Sequence, residues 1–156
     1  MELLSWGEII IRILMQLMPV WISLVVLFAL SILYKRRLGL YGKLFDSTIG
    51  MIGLAIVMFW VFAGFYAGAL DWIVTHDPLS QISGMKNKEP GTPMRGAEEN
   101  DYAYFLLGGD TLARDVFSRM IAGSTVVIVI APLATLFAYM AGITLGLPAG
   151  YYGGRL

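Results

Sequence analysis

Three long apolar runs, residues 13–34, 48–70 and about 125–147, none carrying a charged side chain, constrain this chain more than anything else in it. As a helix the first run is about 33 Å long, against about 30 Å for the hydrocarbon core of a bilayer. Hydrophobic residues make up 58% of the chain and charged residues 14%, so lipid rather than water is the expected solvent for most of it. The expected fold class is an all-α membrane protein with three transmembrane helices. The 156 residues leave room for a small helical cluster and for no second soluble domain.

Charge placement orients the spans. Glu2 and Glu8 precede the first run, and Lys35, Arg36 and Arg37 follow it, which is the reverse of a secretory signal. The run therefore reads as a retained helix with its N-terminus outside, and the loop over residues 35–47, with four cations against Asp46, as cytoplasmic. The second run carries Phe59, Trp60, Phe62, Phe65 and Tyr66, and its Gly64–Gly68 pair has the spacing that lets another helix approach closely. Beyond it, residues 71–109 show neither a helical nor a strand period and read as an outer surface loop. Between Asp71 and Gly123 stand eight acids (71, 77, 89, 98, 99, 101, 110, 115) and five bases (86, 88, 95, 114, 119), an excess that suits the outer face.

The last third of the chain organises the rest. Gly108-Gly109 interrupts the loop, and Asp110 is placed to cap a short helix over residues 110–123. Leu112, Val116, Phe117, Met120 and Ile121 gather on one side, while Arg114, Asp115, Ser118 and Arg119 take the other. That is the pattern of a helix lying in the membrane interface, with Asp110–Arg114 and Asp115–Arg119 as charge pairs four residues apart. The third span follows over about residues 125–147 and runs on to Gly150. Its small residues Ala134, Ala138, Gly142, Gly146 and Gly150 recur every fourth position, which suits close helix packing. The strip fits either the chain's own second span or a partner subunit. Pro132 falls near the expected start of this helix, and Tyr151-Tyr152 anchors its end, with Arg155 beyond.

Chemistry is sparse. The net charge is zero, which argues against nucleic acid as a partner, and the absence of cysteine removes thiolate metal sites. His76 is the single histidine and reads as a turn residue before Asp77-Pro78 rather than a zinc ligand. A triad of Ser118, His76 and an aspartate lacks a nucleophile elbow. No phosphate-binding GxxxxGK[ST] loop is present. No enzyme activity, cofactor or metal is expected. A membrane-anchored enzyme using the outer loop remains an open reading, and so does a small standalone membrane protein that assembles through the 134–150 strip.

Residues 107–119, LGGDTLARDVFSR with Gly123 following, and residues 142–154, GITLGLPAGYYGG, together resemble the C-type permease subunit of bacterial ABC importers for dipeptides, oligopeptides and nickel. In that family the corresponding segments are LGTDxxGRDVxSRxxxG and GxxxGxxAGYYGG. Residues 48–78 match the family's first helix and DP turn more loosely. This chain departs from the pattern with Gly109 in place of Thr and Ala113 in place of Gly, and with an additional span before residue 48. It also stops before the family's EAA loop, which docks on the ATPase. The resemblance implies an N-terminal part, residues 48–156, of a type I ABC importer permease fold, preceded by an extra helix and cytoplasmic loop over residues 1–47. It further implies the bacterial inner membrane, a second permease subunit, cytoplasmic ATPases that bind the ATP, and a periplasmic substrate-binding protein. The face formed by Asp110, Arg114, Asp115, Ser118 and Arg119 is the expected docking surface for that binding protein.

Overall fold

The computed structural model describes residues 2–37, 39–94 and 101–153. Arg95, Glu98 and Glu99 of the outer-loop charge count, and Gly154 and Arg155 of the expected exit, lie outside the described residues, as does the side chain of Arg36. The chain is mostly helical and divides into two units, Met1–Thr125 and Val126–Leu156. Among the described residues two helices are long and apolar enough to cross a membrane, and a third span exists if one bent pair counts as one.

The bent pair replaces the single helix expected over residues 13–34. Helix α1, Trp6–Gln16, opens on a capping box in which the Ser5 hydroxyl accepts from the Glu8 N–H and the Glu8 carboxylate accepts from the Ser5 N–H at 2.8 Å. Helix α2, Met18–Leu33, follows after Leu17 with its axis turned by 57°. Pro19 explains the break: it has no N–H for the Met15 carbonyl, and its ring would clash there in a continuous helix. Alone, the 16 residues of α2 measure about 24 Å.

A short turn of helix, α3 (Gly39–Lys43), lies in the loop between α2 and the next span. Lys35 and Asp46 pair across this loop. Ser47 then caps α4, Thr48–Gly68, through the Gly50 N–H. Helices α2 and α4 pack side by side, with the Trp21 and Phe59 rings 5.2 Å apart and the Ser23 and Tyr66 hydroxyls at 2.7 Å. The Gly64–Gly68 pair finds its close neighbour at Thr125, whose hydroxyl donates to the Gly64 carbonyl at 3.0 Å. A Cβ at Gly68 would collide with the Thr125 side chain.

The segment expected as an outer surface loop is folded. Ile73, Met85, Phe105 and Leu106 are fully buried, each worth about 1.5–3 kcal/mol of apolar burial. Strands β1, Thr92–Pro93, and β2, Tyr104–Phe105, pair antiparallel, with Thr92 opposite Phe105. The Leu4 N–H reaches the Gly91 carbonyl at 3.1 Å, so this cap also holds the entrance to α1. Beneath it Leu17, Val20, Ala63, Ala67, Ile73, Leu106, Phe117 and Ile121 form one apolar core. The core joins the start of α2, the end of α4 and the start of α5, Val116–Tyr151.

Helix α5 corrects a second expectation. Instead of a separate interfacial helix over 110–123 and a span from 125, one helix begins at Val116 and runs 36 residues, about 54 Å. Pro132 therefore sits well inside the helix rather than near its start. In the second unit the helix is exposed at nearly every position from Val126, including all five small residues of the 134–150 strip. Open space lies beside Gly142, Gly146 and Gly150.

Candidate functional site

The candidate site is the junction where the cap meets the first turn of α5, and two aspartates build it. Asp110 was expected to cap a helix; it caps a turn instead. Its Oδ1 accepts from the backbone N–H groups of Leu112 at 2.8 Å and Arg114 at 2.9 Å, which closes the loop 110–114 on itself. Its Oδ2 accepts from the Arg114 guanidinium at 2.9 Å and from Arg119 at 2.6 Å. The Arg114 N–H leads in holding this carboxyl down to about 2, with the Leu112 N–H and the Arg114 side chain helping against partial burial.

Asp115 caps the helix. Its Oδ1 accepts from the Phe117 N–H at 3.2 Å and its Oδ2 from the Ser118 N–H at 3.3 Å, the two N–H groups that a capping side chain ordinarily serves. The same Oδ2 takes the hydroxyls of Ser118 at 2.6 Å and Thr75 at 2.7 Å, and lies 3.1 Å from His76 Nδ1. Burial raises the Asp115 carboxyl, and hydrogen bonds from His76, Ser118 and Thr75 outweigh it, leaving it below its ordinary value. The Ser118 hydroxyl in turn accepts from the His76 N–H at 3.0 Å and the Thr75 N–H at 3.2 Å. His76 Nε2 donates to the Tyr102 carbonyl at 2.8 Å. Both ring nitrogens of His76 thus face acceptors, a carboxylate on one side and a backbone carbonyl on the other.

The five residues placed on one outer face therefore separate. Arg119 is exposed, and Asp110 and Arg114 are half-buried at the surface. Asp115 and Ser118 are 1% and 0% exposed, which removes them from any docking face. The expected Asp115–Arg119 pair does not form, because Arg119 turns to Asp110 and Asp115 to His76. His76 is a buried tie between cap and helix rather than a turn residue, its ring 5.0 Å from that of Phe105. Both its nitrogens are occupied, and among the described residues no three metal-ligating side chains gather. Ser118 gives its proton to Asp115 and is sealed from solvent, so the three side chains form a brace and not a nucleophilic triad.

Backbone geometry bears differently on the two sequence departures in this junction. Ala113 adopts φ +62°, the left-handed conformation that favours glycine, so the turn is kept with an alanine in it. Gly109 lies against the backbone carbonyl of Met85, where a Cβ would collide. The segment before it is held by the Asn87 N–H on the Asp110 carbonyl at 3.0 Å and the Gly109 N–H on the Lys88 carbonyl at 3.0 Å. Sequence reasoning read His76 as a turn residue and missed Thr75 and Tyr102. Asp115 directly before the apolar pair Val116-Phe117 was a legible cap signal, but its partners lie 39 and 40 residues away.

A helical membrane-type chain with a folded polar cap braced onto one helix is the class these observations define. Comparison with known proteins then places it more narrowly. The chain is 30% identical over 122 residues to the Di/tripeptide transport system permease protein DppC of Pseudomonas aeruginosa, covering 78% of this chain and 38% of that protein. It is 26% identical over 113 residues to the Dipeptide transport system permease protein DppC of Alkalihalophilus pseudofirmus, covering 72% of this chain and 33% of that protein. Over 48 residues, 31% of this chain and 16% of the relative, it is 46% identical to the Glutathione transport system permease protein GsiD of Pectobacterium atrosepticum. Its curated homologues are thus permease subunits of peptide-type transport systems, matched at modest identity over most of this chain. The chain spans a little over a third of the length of the first of these relatives and a third of the second. No family model matches, and no solved structure matches.

Proposed function

We propose that this chain forms part of the membrane-spanning permease subunit of an ATP-driven ABC importer for peptides or similar small solutes. The observation that carries the reading is the similarity to two DppC permeases over more than 70% of the chain, reaching 78% in the first. The folded Asp110–Arg119 junction supports it, because the segment that resembles the C-type permeases is also the segment that fixes where α5 starts. In this reading the subunit is a multi-pass protein of the bacterial inner membrane with three crossings, made by the α1–α2 pair, α4 and α5. It works with a second permease subunit, cytoplasmic ATPases that bind the ATP, and a periplasmic substrate-binding protein. The chain supplies passage walls and docking surface and performs no chemistry itself.

Residues 35–47 face the cytoplasm and the cap faces the periplasm. The contacts of α1 with the cap, Leu4 to Gly91 and Gln16 to the Trp72 carbonyl, support the N-terminus and the cap lying on one side. Arg119, with Arg114 and Asp110 beside it, is the docking surface offered to the binding protein. The exposed 134–150 strip packs against the second permease. The test is to tag the chain, express it with its neighbouring transport genes and purify it from membranes. Co-purification of a second permease and an ATPase is expected. Recovery of the chain alone or as a self-assembly favours the standalone membrane protein. Because the chain has no cysteine, Lys43→Cys and Lys88→Cys report topology directly, the first reacting with an impermeant thiol reagent only from inside and the second from outside.

A further inference from the structure

We propose that α1 is a membrane-interface helix whose outward face is buried in the outer leaflet of the bilayer, at the boundary between headgroups and acyl chains. The inference rests on α2 and α4 lying in lipid and is independent of transport. One side of α1 is already occupied: Ile9 is buried at the cap, Arg12 lies 4.9 Å over the Tyr104 ring, and Gln16 donates to the Trp72 carbonyl. Glu8, Arg12 and Gln16 recur every fourth residue and form a polar stripe along the edge of that contact. The arc facing away carries Trp6, Ile10, Ile11, Leu14 and Met15, all between 49% and 68% exposed and without a charge among them. A helix with apolar residues on one arc and a charged stripe on the other, tipped 57° from the helix it precedes, has the build of a segment that lies along a membrane surface.

Lipid is the occupant because the face is continuous with one that needs lipid anyway. Only Leu17 separates α1 from α2, and the exposed apolar surface runs on through Met18, Ile22 and Val25. The contact with the cap also fixes depth, since the cap is polar and holds α1 at its own level. This makes α1, and not residues 110–123, the interfacial helix of the chain.

The test uses single cysteines carrying a nitroxide in the full chain, reconstituted in nanodiscs of phosphatidylcholine and phosphatidylglycerol. Labels replacing Ile10 and Leu14 should collide several-fold more with oxygen than with a water-soluble nickel chelate, at a depth of about 5–10 Å below the headgroups. A label replacing Glu8 should show the opposite preference. Nickel preference at Ile10 and Leu14 would mean a face in water, and low collision with both agents on an immobilised label would mean a face covered by protein, including a second copy. Either result overturns the proposal, as does a depth at the bilayer centre. A label replacing Val25 in α2 separates the two readings: oxygen preference there with any of those outcomes sinks the interfacial helix alone, and nickel preference there sinks the membrane assignment with it.

Discussion

The two ends of α5 share one helix and obey different rules. Over its first turns Phe117, Ser118, Ile121 and Ser124 are buried, and Asp115 caps it with five hydrogen bonds to four residues of the helix and the cap. From Val126 onward the side chains are exposed nearly throughout and meet nothing in their own unit beyond the helix itself. The first part is specified by this chain. The second carries the composition of a surface completed by lipid or by another helix, because an apolar helix in hydrocarbon gains nothing by hiding from it and packs only where small residues permit contact.

The comparison breaks most visibly at Asp115. Asp115→Ala removes a cap and leaves the His76 ring and Ser118 buried, and Thr75 half-buried, without their acceptor, at an expected cost of about 3–5 kcal/mol in thermal unfolding of the chain in detergent. Acid should attack the same junction. Asp115 and Asp110 are held below their ordinary values, so their contribution is complete above about pH 4 and is lost as pH falls through the lowered folded values. A chain that loses the cap's near-ultraviolet signal already at pH 6 would contradict this assignment. Next in size is Gly109→Ala, which drives a methyl into the Met85 carbonyl and should cost about 1–3 kcal/mol. Ala113→Gly runs the other way. It relieves a left-handed alanine and should stabilise by up to about 1 kcal/mol after the entropy of the unfolded glycine is counted. The smallest effect belongs to the second unit. Gly142→Leu meets open space and should change the chain's own stability by no more than about 0.5 kcal/mol, while reducing co-purification of a second permease. A large loss of stability from Gly142→Leu with retained co-purification would reverse the contrast between the two ends.

How much was legible follows from the range of each interaction. Apolar runs and the resemblance of residues 107–119 and 142–154 to C-type permeases could be read along the chain, and the curated homologues agree with that resemblance. The Gly64–Gly68 spacing was readable as a place of close approach, though not that Thr125 is what approaches. The cap was illegible because Ile73, Met85, Phe105 and Leu106 fall at no regular period, and a small irregular core leaves no repeating pattern in sequence. The helix start was misjudged because Asp110 and Asp115 carry the same local cap signal, and only contacts with residues 75, 76 and 102 distinguish them.

Sequence alone determined the number of apolar stretches and the charges that flank them, since hydropathy and flanking charge are properties summed over neighbours in the chain. Tertiary structure decided which aspartate caps α5, that Asp115 and Ser118 are buried rather than displayed, and that the polar segment is a folded cap. Each of these turns on a pairing between residues dozens of positions apart, whose strength depends on the burial that the pairing itself creates.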